Sequence, residues 1–342
     1  MRNKTFFWFI LPSLAAMFLF IALPLVSVVV QSMFIEHEQV IVVTENCGPF
    51  GCAQESSVDT EATAKLKEER PLGRFAGLST YMDRGHLATK EIAEAWRTQD
   101  SLGGFFSEIY NLPFYKALFF TLAYTFVVTP LVIVFGLMIA LGVNRITPIL
   151  KGPTIFLSLL PMIITPLIGS LILFWMIDAQ GVIGKTLQWM FDDSNLSLKA
   201  SPALTWMTVM FYGIWSSAPF AFVVFYAGLQ TVNTDSLEAA MIDGATRWQQ
   251  IRFVVIPHLM PLVTFIALIQ LMDNFKVFEP VVGFSAQANA PSLSYIIYAD
   301  MRSDIIRFNS AAATSVLTVL GVIIILFPVL MRTWRDFKGK AA

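Results

Sequence analysis

Six apolar runs, at 7–32, 113–142, 153–177, 203–230, 260–282 and 309–331, divide the 342-residue chain. Each approaches or exceeds the roughly 20 residues that a helix needs to cross a hydrocarbon core. The pattern predicts an all-α integral membrane protein with six transmembrane helices. The first run follows Arg2 and Lys4, as a secretory leader would. Its apolar stretch from Phe6 to Val30 is longer than the ~7–15 residues of a leader core, and no small-x-small cleavage site follows it. It reads as an uncleaved anchor.

Charge fixes a direction. Arg2, Lys4, Arg145, Lys151, Arg247, Arg252, Arg332, Arg335, Lys338 and Lys340 all fall on one side of a six-span chain, and the opposite short loops carry only Lys185, Lys199, Arg302 and Arg307. Lysine and arginine stay cytoplasmic, so both termini are expected inside. Four regions follow: an anchor span 1–33, a polar external domain 34–112, a membrane core 113–335 with an internal loop 232–260, and a cytoplasmic tail 336–342. Only 14% of residues are charged, against about 25% in soluble domains. The net charge of −1 comes with no basic face, so nucleic acid is not an expected partner.

In the external segment, Cys47-Gly-Pro-Phe-Gly-Cys52 holds the chain's two cysteines. Its glycines and proline favour a tight turn that brings Cys47 and Cys52 together, and an exported compartment permits a disulfide. Two free thiols in a loop remain the other reading. Residues 85–100 have the pattern of a short amphipathic helix.

Asp235 to Pro261 interrupts the apolar pattern with a polar elbow. Asp235 and Glu238 read as a capping box, as do Thr246 and Gln249. Gly244 lies between them, where a glycine can end a helix in the left-handed conformation, and Pro257 and Pro261 mark the return to the membrane. Ala239 and Ala240 give the first helix a small-residue face that lets another surface approach closely. Packing only on the chain's own spans is the alternative.

The residues Glu238-Ala239-Ala240, Asp243-Gly244-Ala245 and Ile256-Pro257 match, in type and spacing, the loop of binding-protein-dependent ABC importer permeases. EAAMIDGA followed by IPHLMP resembles the carbohydrate branch of that family, the maltose and glycerol-phosphate type. The resemblance covers roughly 5–33 and 113–335. Asn274 to Pro280 (NFKVFEP) resembles a run of the branch's first permease type, whereas Gly283 to Gln287 lacks the Thr-x-Gly-Gly-Pro that usually follows.

The resemblance implies an inner-membrane permease subunit that pairs with a second permease, two cytoplasmic ATP-binding cassette ATPases and an external solute-binding protein. ATP and Mg would then sit on the ATPases, with no cofactor on this chain. It assigns ATPase docking to Glu238, Ala239, Ala240, Asp243 and Gly244. It implies as cargo a sugar, oligosaccharide, polyol or glycoside, with glycerol phosphate or another polar organic solute as the alternative in the same machine. From a different class, an ion-coupled secondary transporter would be expected to work alone.

Amide, hydroxyl and ionisable groups at membrane depth face a bundle interior or a wet cavity. Gln270, Asp273 and Asn274 share a helix face by spacing, and Lys276 is placed to neutralise Asp273. Matched to the family by distance from the loop, the solute-path candidates are Gly213, Ser216, Ser217 and Phe220 before it, and Gln270, Asp273, Asn274 and Val277 after it. The competing reading is that these groups tie helices together. Pro161, Pro166 and Gly169 predict a kink in the third span. Asn309, Ser310, Thr314, Ser315 and Thr318 read as packing positions in the sixth.

Ala179 to Thr186 (AQGVIGKT) fits the loose form of a phosphate-binding loop, but that motif needs a preceding strand and a membrane span precedes it here. His37, His86 and His258 lie on separate segments, and no nucleophile–base or metal-ligating pattern occurs. Neither a catalytic residue nor a metal site is expected.

Overall fold

A computed structural model describes residues 2–35, 40–48, 51–70, 72–99, 101–194, 196–197, 199, 201–303 and 306–340. The first span is α1 (Arg2–Met17), a π-helical turn Phe18–Ala22 and α2 (Leu23–Gln31). The polar segment holds β1 (Phe34–Ile35), β2 (Ile41–Gly48), β3 (Gly51–Val58), α3 (Thr60–Glu69), β4 (Arg74–Phe75), α4 (Ser79–Met82), α5 (Thr89–Thr98) and α6 (Leu102–Tyr110). The core follows as α7 (Pro113–Arg145), α8 (Pro148–Ile163), α9 (Pro166–Met176), α10 (Val182–Phe191) and α11 (Pro202–Leu229). After it come α12 (Thr234–Ile242), α13 (Arg247–Gln250), a second π turn Ile251–Val255, α14 (Ile256–Phe275), α15 (Glu279–Gly283), α16 (Leu293–Arg302) and α17 (Phe308–Lys340).

The chain forms two compact units, Met1–Tyr115 with Ile296–Val319, and Lys116–Tyr295 with Leu320–Ala342. In the first unit the N-terminal span contributes nothing to a core: the Phe6–Gln31 stretch is not buried against the rest of the chain. The described residues of 34–112 include strands as well as helices. Strand β1 pairs antiparallel with β4, and β2 with β3 in a hairpin whose register sets Cys47 opposite Cys52. The cysteine side chains and the hairpin tip lie outside the described residues, so the disulfide expectation does too, as does His37. Helix α5 matches the amphipathic expectation, with Ala88 and Ala95 buried and Trp96 exposed. His86, also buried, brings Nε2 to 3.1 Å from the Ser310 carbonyl, and Ser310 donates to Asp300 at 2.6 Å. The sixth-span hydroxyl thus serves packing, as its small-residue setting suggested.

The second unit is built on a single face of α7. Phe120, Tyr124, Val128, Val132 and Ala140 recur at fours and are all buried, with Gly136 in the same row. Thr121, Thr125 and Thr129 form the adjacent buried row, the i, i+4 spacing that stacks side chains along one ridge. Opposite them α11 presents Val209, Tyr212, Ala221, Phe222 and Phe225. Gly213 meets Tyr124: a Cβ there would run into the Tyr124 hydroxyl, with Cζ at 2.8 Å. Gly213→Ala is therefore expected to lower the unfolding temperature in detergent, and Tyr124→Phe in the same chain, which removes the hydroxyl but keeps the ring, to restore part of the loss. Equal losses in the single and double variants would contradict the contact.

The third predicted span is not one straight helix. Helices α8 and α9 meet at Ile164–Thr165 with a bend of 95°, where Pro161 and Pro166 deny the backbone its helical hydrogen bonds. Among the described residues, five helices are long and apolar enough to cross a membrane, six if the bent pair counts as one. The fifth span also departs from expectation, because its helix runs as one rod from Arg247 to Phe275 and stops there rather than at 282. Both π turns precede a proline, Pro24 and Pro257. Leu23 N–H reaches Phe18 O and Ile256 N–H reaches Ile251 O. A wider turn makes room for a ring that would otherwise strike the carbonyl four residues back.

Candidate functional site

The elbow forms as expected, with one correction. The cap of α12 is Asn233, whose side chain accepts from Asp235 N at 2.9 Å; Asp235 itself lies in the first turn, where a carboxylate complements the exposed N–H groups. Asp235 and Glu238 are therefore not a capping box. At the other end, Gly244 N–H bonds Met241 O at 3.0 Å and Ala245 N–H bonds Ala240 O at 2.9 Å. That pair of bonds closes the helix in the Schellman form, and Gly244 holds the left-handed φ of +76° it demands. Thr246 and Gln249 then make a reciprocal capping box, Gln249 Oε1 accepting from Thr246 N at 2.6 Å.

All this local definition supports an element with no buried residue of its own. Glu238, Ala239, Asp243 and Gly244 are exposed, Ala240 is half-buried, and Leu237 packs inward on the core. Met241, Ile242, Trp248 and Phe253 stand outward, Ile242 at 86% exposure. The elbow is thus capped at both ends and leaves its apolar side chains uncovered.

The path candidates divide by environment. Gln270 and Asn274 are buried, and Asn274 Nδ2 donates to Thr129 Oγ1 at 3.0 Å and to Gln270 Oε1 at 3.4 Å, tying α14 to α7. Gly213 and Val277 are buried in packing. Ser216 donates to Gly213 O at 3.2 Å, Ser217 is half-buried, and Phe220 lies 6.5 Å, ring to ring, from Phe265. Asp273 alone of the eight is exposed, with Lys276 Nζ 3.5 Å from its carboxylate. Asn274→Ala is expected to cost about 1 kcal/mol of stability, the scale of a helix–helix hydrogen bond in a membrane. Asp273→Asn is expected to leave the unfolding temperature unchanged, because an exposed ion pair is worth little. Thermal unfolding of the two variants in detergent checks this.

Sequence reasoning did not foresee the second break, Lys276–Phe278, between α14 and α15. The two broken helices meet: α15 packs on α9, Ser170 Oγ donates to Glu279 O at 3.3 Å, and a Cβ on Gly283 would strike Ser170. Pro280 is the signal that was available, since a proline is tolerated in the first turn of a helix, where it sits in α15, and not in a helix interior. A cleft of about 90 Å³ beside Phe174, Thr205, Thr208 and Asn289 is lined by none of the path candidates. Lys199 at its edge bonds Asp178 at 2.9 Å and holds that carboxyl below its usual range. The phosphate-loop look-alike is a packing device: Cβ atoms at Gly181 and Gly184 would strike the Trp175, Met176 and Asp178 carbonyls, and the element before it is a helix.

The sequence profile of the binding-protein-dependent transport system inner membrane component matches residues 101–336. The chain belongs to this family. It is a multi-pass inner-membrane transport subunit of a binding-protein-dependent ABC system. Among its relatives, the inner membrane ABC transporter permease protein YcjO of Escherichia coli is 27% identical over 226 residues, 64% of this chain and 73% of that one. The lactose transport system permease protein LacF of Rhizobium radiobacter is 26% identical over 278 residues, 75% and 85%. The trehalose transport system permease protein SugA of Mycobacterium tuberculosis is 28% identical over 220 residues, 64% and 68%. In fold, the permease resembles a chain of a bacterial alginate ABC transporter solved with an alginate-pentasaccharide-bound periplasmic protein, at TM-score 0.58 and 21% identity, covering 73% of this chain and 88% of that one. The profile begins at 101, so the anchor and most of the polar segment lie outside it.

Proposed function

We propose that this permease forms half of the translocation path for a sugar, oligosaccharide, polyol or glycoside that an external solute-binding protein delivers. A second permease would supply the other half. Two ATP-binding cassette ATPases, which carry the ATP and Mg, would dock on the paired elbows. In this arrangement both termini are cytoplasmic and the segment 34–112 is external. The observation that carries the reading is the doubly capped elbow, in which Glu238, Ala239, Asp243 and Gly244 are exposed and Ala240 is half-buried. The lactose and trehalose permeases among its relatives support the cargo class.

The chain needs no chemistry on the solute. Closure of the ATPases would push the elbows together and rock the permeases, opening the central cavity alternately to each side. The backbone breaks at Ile164–Thr165 and Lys276–Phe278 belong beside that cavity, because unpaired backbone groups do not face lipid. Asp273, exposed here, and half-buried Ser216, Ser217 and Phe220 would line it together with the partner permease. Gly213, Gln270, Asn274 and Val277 would set its wall from behind.

The test is affinity purification of this chain from native membranes, wild type against Gly244→Asp. Co-purification of an ATPase that the variant loses, followed by a screen of the accompanying binding protein against sugars, is the expected result. A chain that purifies alone, with the variant indistinguishable, would overturn the reading.

A further inference from the structure

Helix α6 has a two-sided make-up that the core does not use. Phe105, Ile109, Leu102, Phe106 and Tyr110 fall on one arc at i, i+3, i+4 spacing, and Gly103, Gly104, Ser107 and Glu108 on the other. Phe105 and Ile109 are half-buried, but Leu102 and Phe106 are 69% and 65% exposed. Trp96, equally open, places its ring edge-on to Phe105 at 5.2 Å. The polar arc is tied back into the fold by Gln99 Nε2, which donates to Glu108 at 3.0 Å. The uncovered patch is therefore held in place rather than loose.

What covers it follows from the chain. Only Asn111 and Leu112 separate α6 from α7, and Pro113–Lys116 is already one turn of that membrane-spanning helix. Lys116 is the last charge before an unbroken uncharged run to Asn144. One helical turn advances about 5.4 Å, and the interfacial layer on each side of the hydrocarbon is about 5–8 Å deep. A nine-residue helix attached there, with an aromatic face and a tryptophan beside it, has the residue types that settle at the lipid headgroups. The 34–112 segment carries 13 acidic against 7 basic residues, so attraction to anionic lipid is not the driving force.

We propose that α6 is an interfacial anchor lying in the membrane surface on the side of the 34–112 segment. Leu102, Phe106 and the Trp96 ring enter the boundary between headgroups and acyl chains, and Ser107 and Glu108 face water. The partner is the lipid surface itself, recognised through apolar area and not through headgroup charge. The inference rests on the membrane placement of α7 and is independent of the cargo.

Nitroxide labels placed singly at Leu102, Phe106, Ser107 and Phe75, on a Cys47→Ser/Cys52→Ser chain in phosphatidylcholine nanodiscs, provide the test. Phe75 is as exposed as Phe106, at 66%, and serves as the comparison for a ring outside α5 and α6. At 102 and 106, collision with oxygen should exceed collision with a water-soluble nickel chelate several-fold more than at 75 and 107. The unsubstituted chain gives an independent readout: hydroxyl-radical oxidation of Phe106 should fall several-fold below that of Phe75. Equal chelate access at 106 and 75, or equal oxidation of the two rings, overturns the proposal. Exclusion of both reagents at 106 also overturns it, because it means that protein covers the patch.

Discussion

Valine in place of Gly244 is expected to stop ATP-driven uptake while the chain remains folded in the membrane. Gly244 sits at φ +76° with nothing within 4 Å of where a Cβ would lie. The penalty is therefore backbone strain and not a clash. A left-handed residue with a Cβ costs about 1–2 kcal/mol, and a β-branched one is a true outlier there. The elbow has few contacts with which to resist, since α12 buries nothing. The strain is relieved by opening the Schellman bonds from Gly244 and Ala245, which unwinds Ala240 to Asp243. Those residues belong to the proposed docking face, so coupling should be lost at small cost to global stability. Asparagine tolerates the left-handed region, and Gly244→Asn should retain most of the uptake. Transport in proteoliposomes containing the whole assembly, with unfolding temperatures alongside, checks both. Equal activity of the valine and asparagine chains would show that conformation at 244 is not what matters.

A large stability effect is expected at Gly136. A Cβ there would lie 2.5 Å from the Ala221 Cβ and 2.9 Å from the main chain of Ala221 and Phe222. No rotamer change removes a collision with backbone, so α7 and α11 must separate and the packed row on α7 loses its partners. Gly136→Ala is expected to destabilise by about 1–3 kcal/mol, the usual cost of overpacking. Gly142, six residues on in the same helix, has nothing within 4 Å. There the same change should stabilise by roughly 0.5–1 kcal/mol, the helical preference for alanine over glycine. Opposite signs for one substitution in one helix, read by denaturant unfolding in mixed micelles, are the outcome to look for. A neutral Gly136→Ala would mean that the helices are not in backbone contact.

Much of this was legible in the sequence because membrane spans and caps are local signals. Apolar length announced the spans, and Gly244, Thr246 and Gln249 announced the elbow, since each acts within a few residues of itself. The misses are long-range or competitive. Asn233 displaced Asp235 as the cap because both can accept the same early N–H groups and only geometry chooses between them. In the third span Pro161 and Pro166 announced a kink, but its size, 95°, was hidden, because hydropathy is blind to direction. Asn274 meets Thr129 across 145 positions of sequence, a pairing that no local pattern encodes. The Phe-Glu-Pro break was visible in principle, but the apolar run around it hid it.

The single helix Arg247–Phe275 has a mechanical meaning. At 1.5 Å per residue its 29 residues make a strut of about 44 Å. One end abuts the capping box of the elbow, and the other ends at the Lys276–Phe278 break beside α15. Its one π turn, Ile251–Val255, and its interior Pro261 both lie toward the elbow end, and from Leu262 to Phe275 the helix is regular. A push on Trp248 would thus arrive at Phe275 with little backlash. Under the proposed coupling, the motion would pass on across the Lys276–Phe278 break to α15, which meets α9 at Ser170 and Gly283.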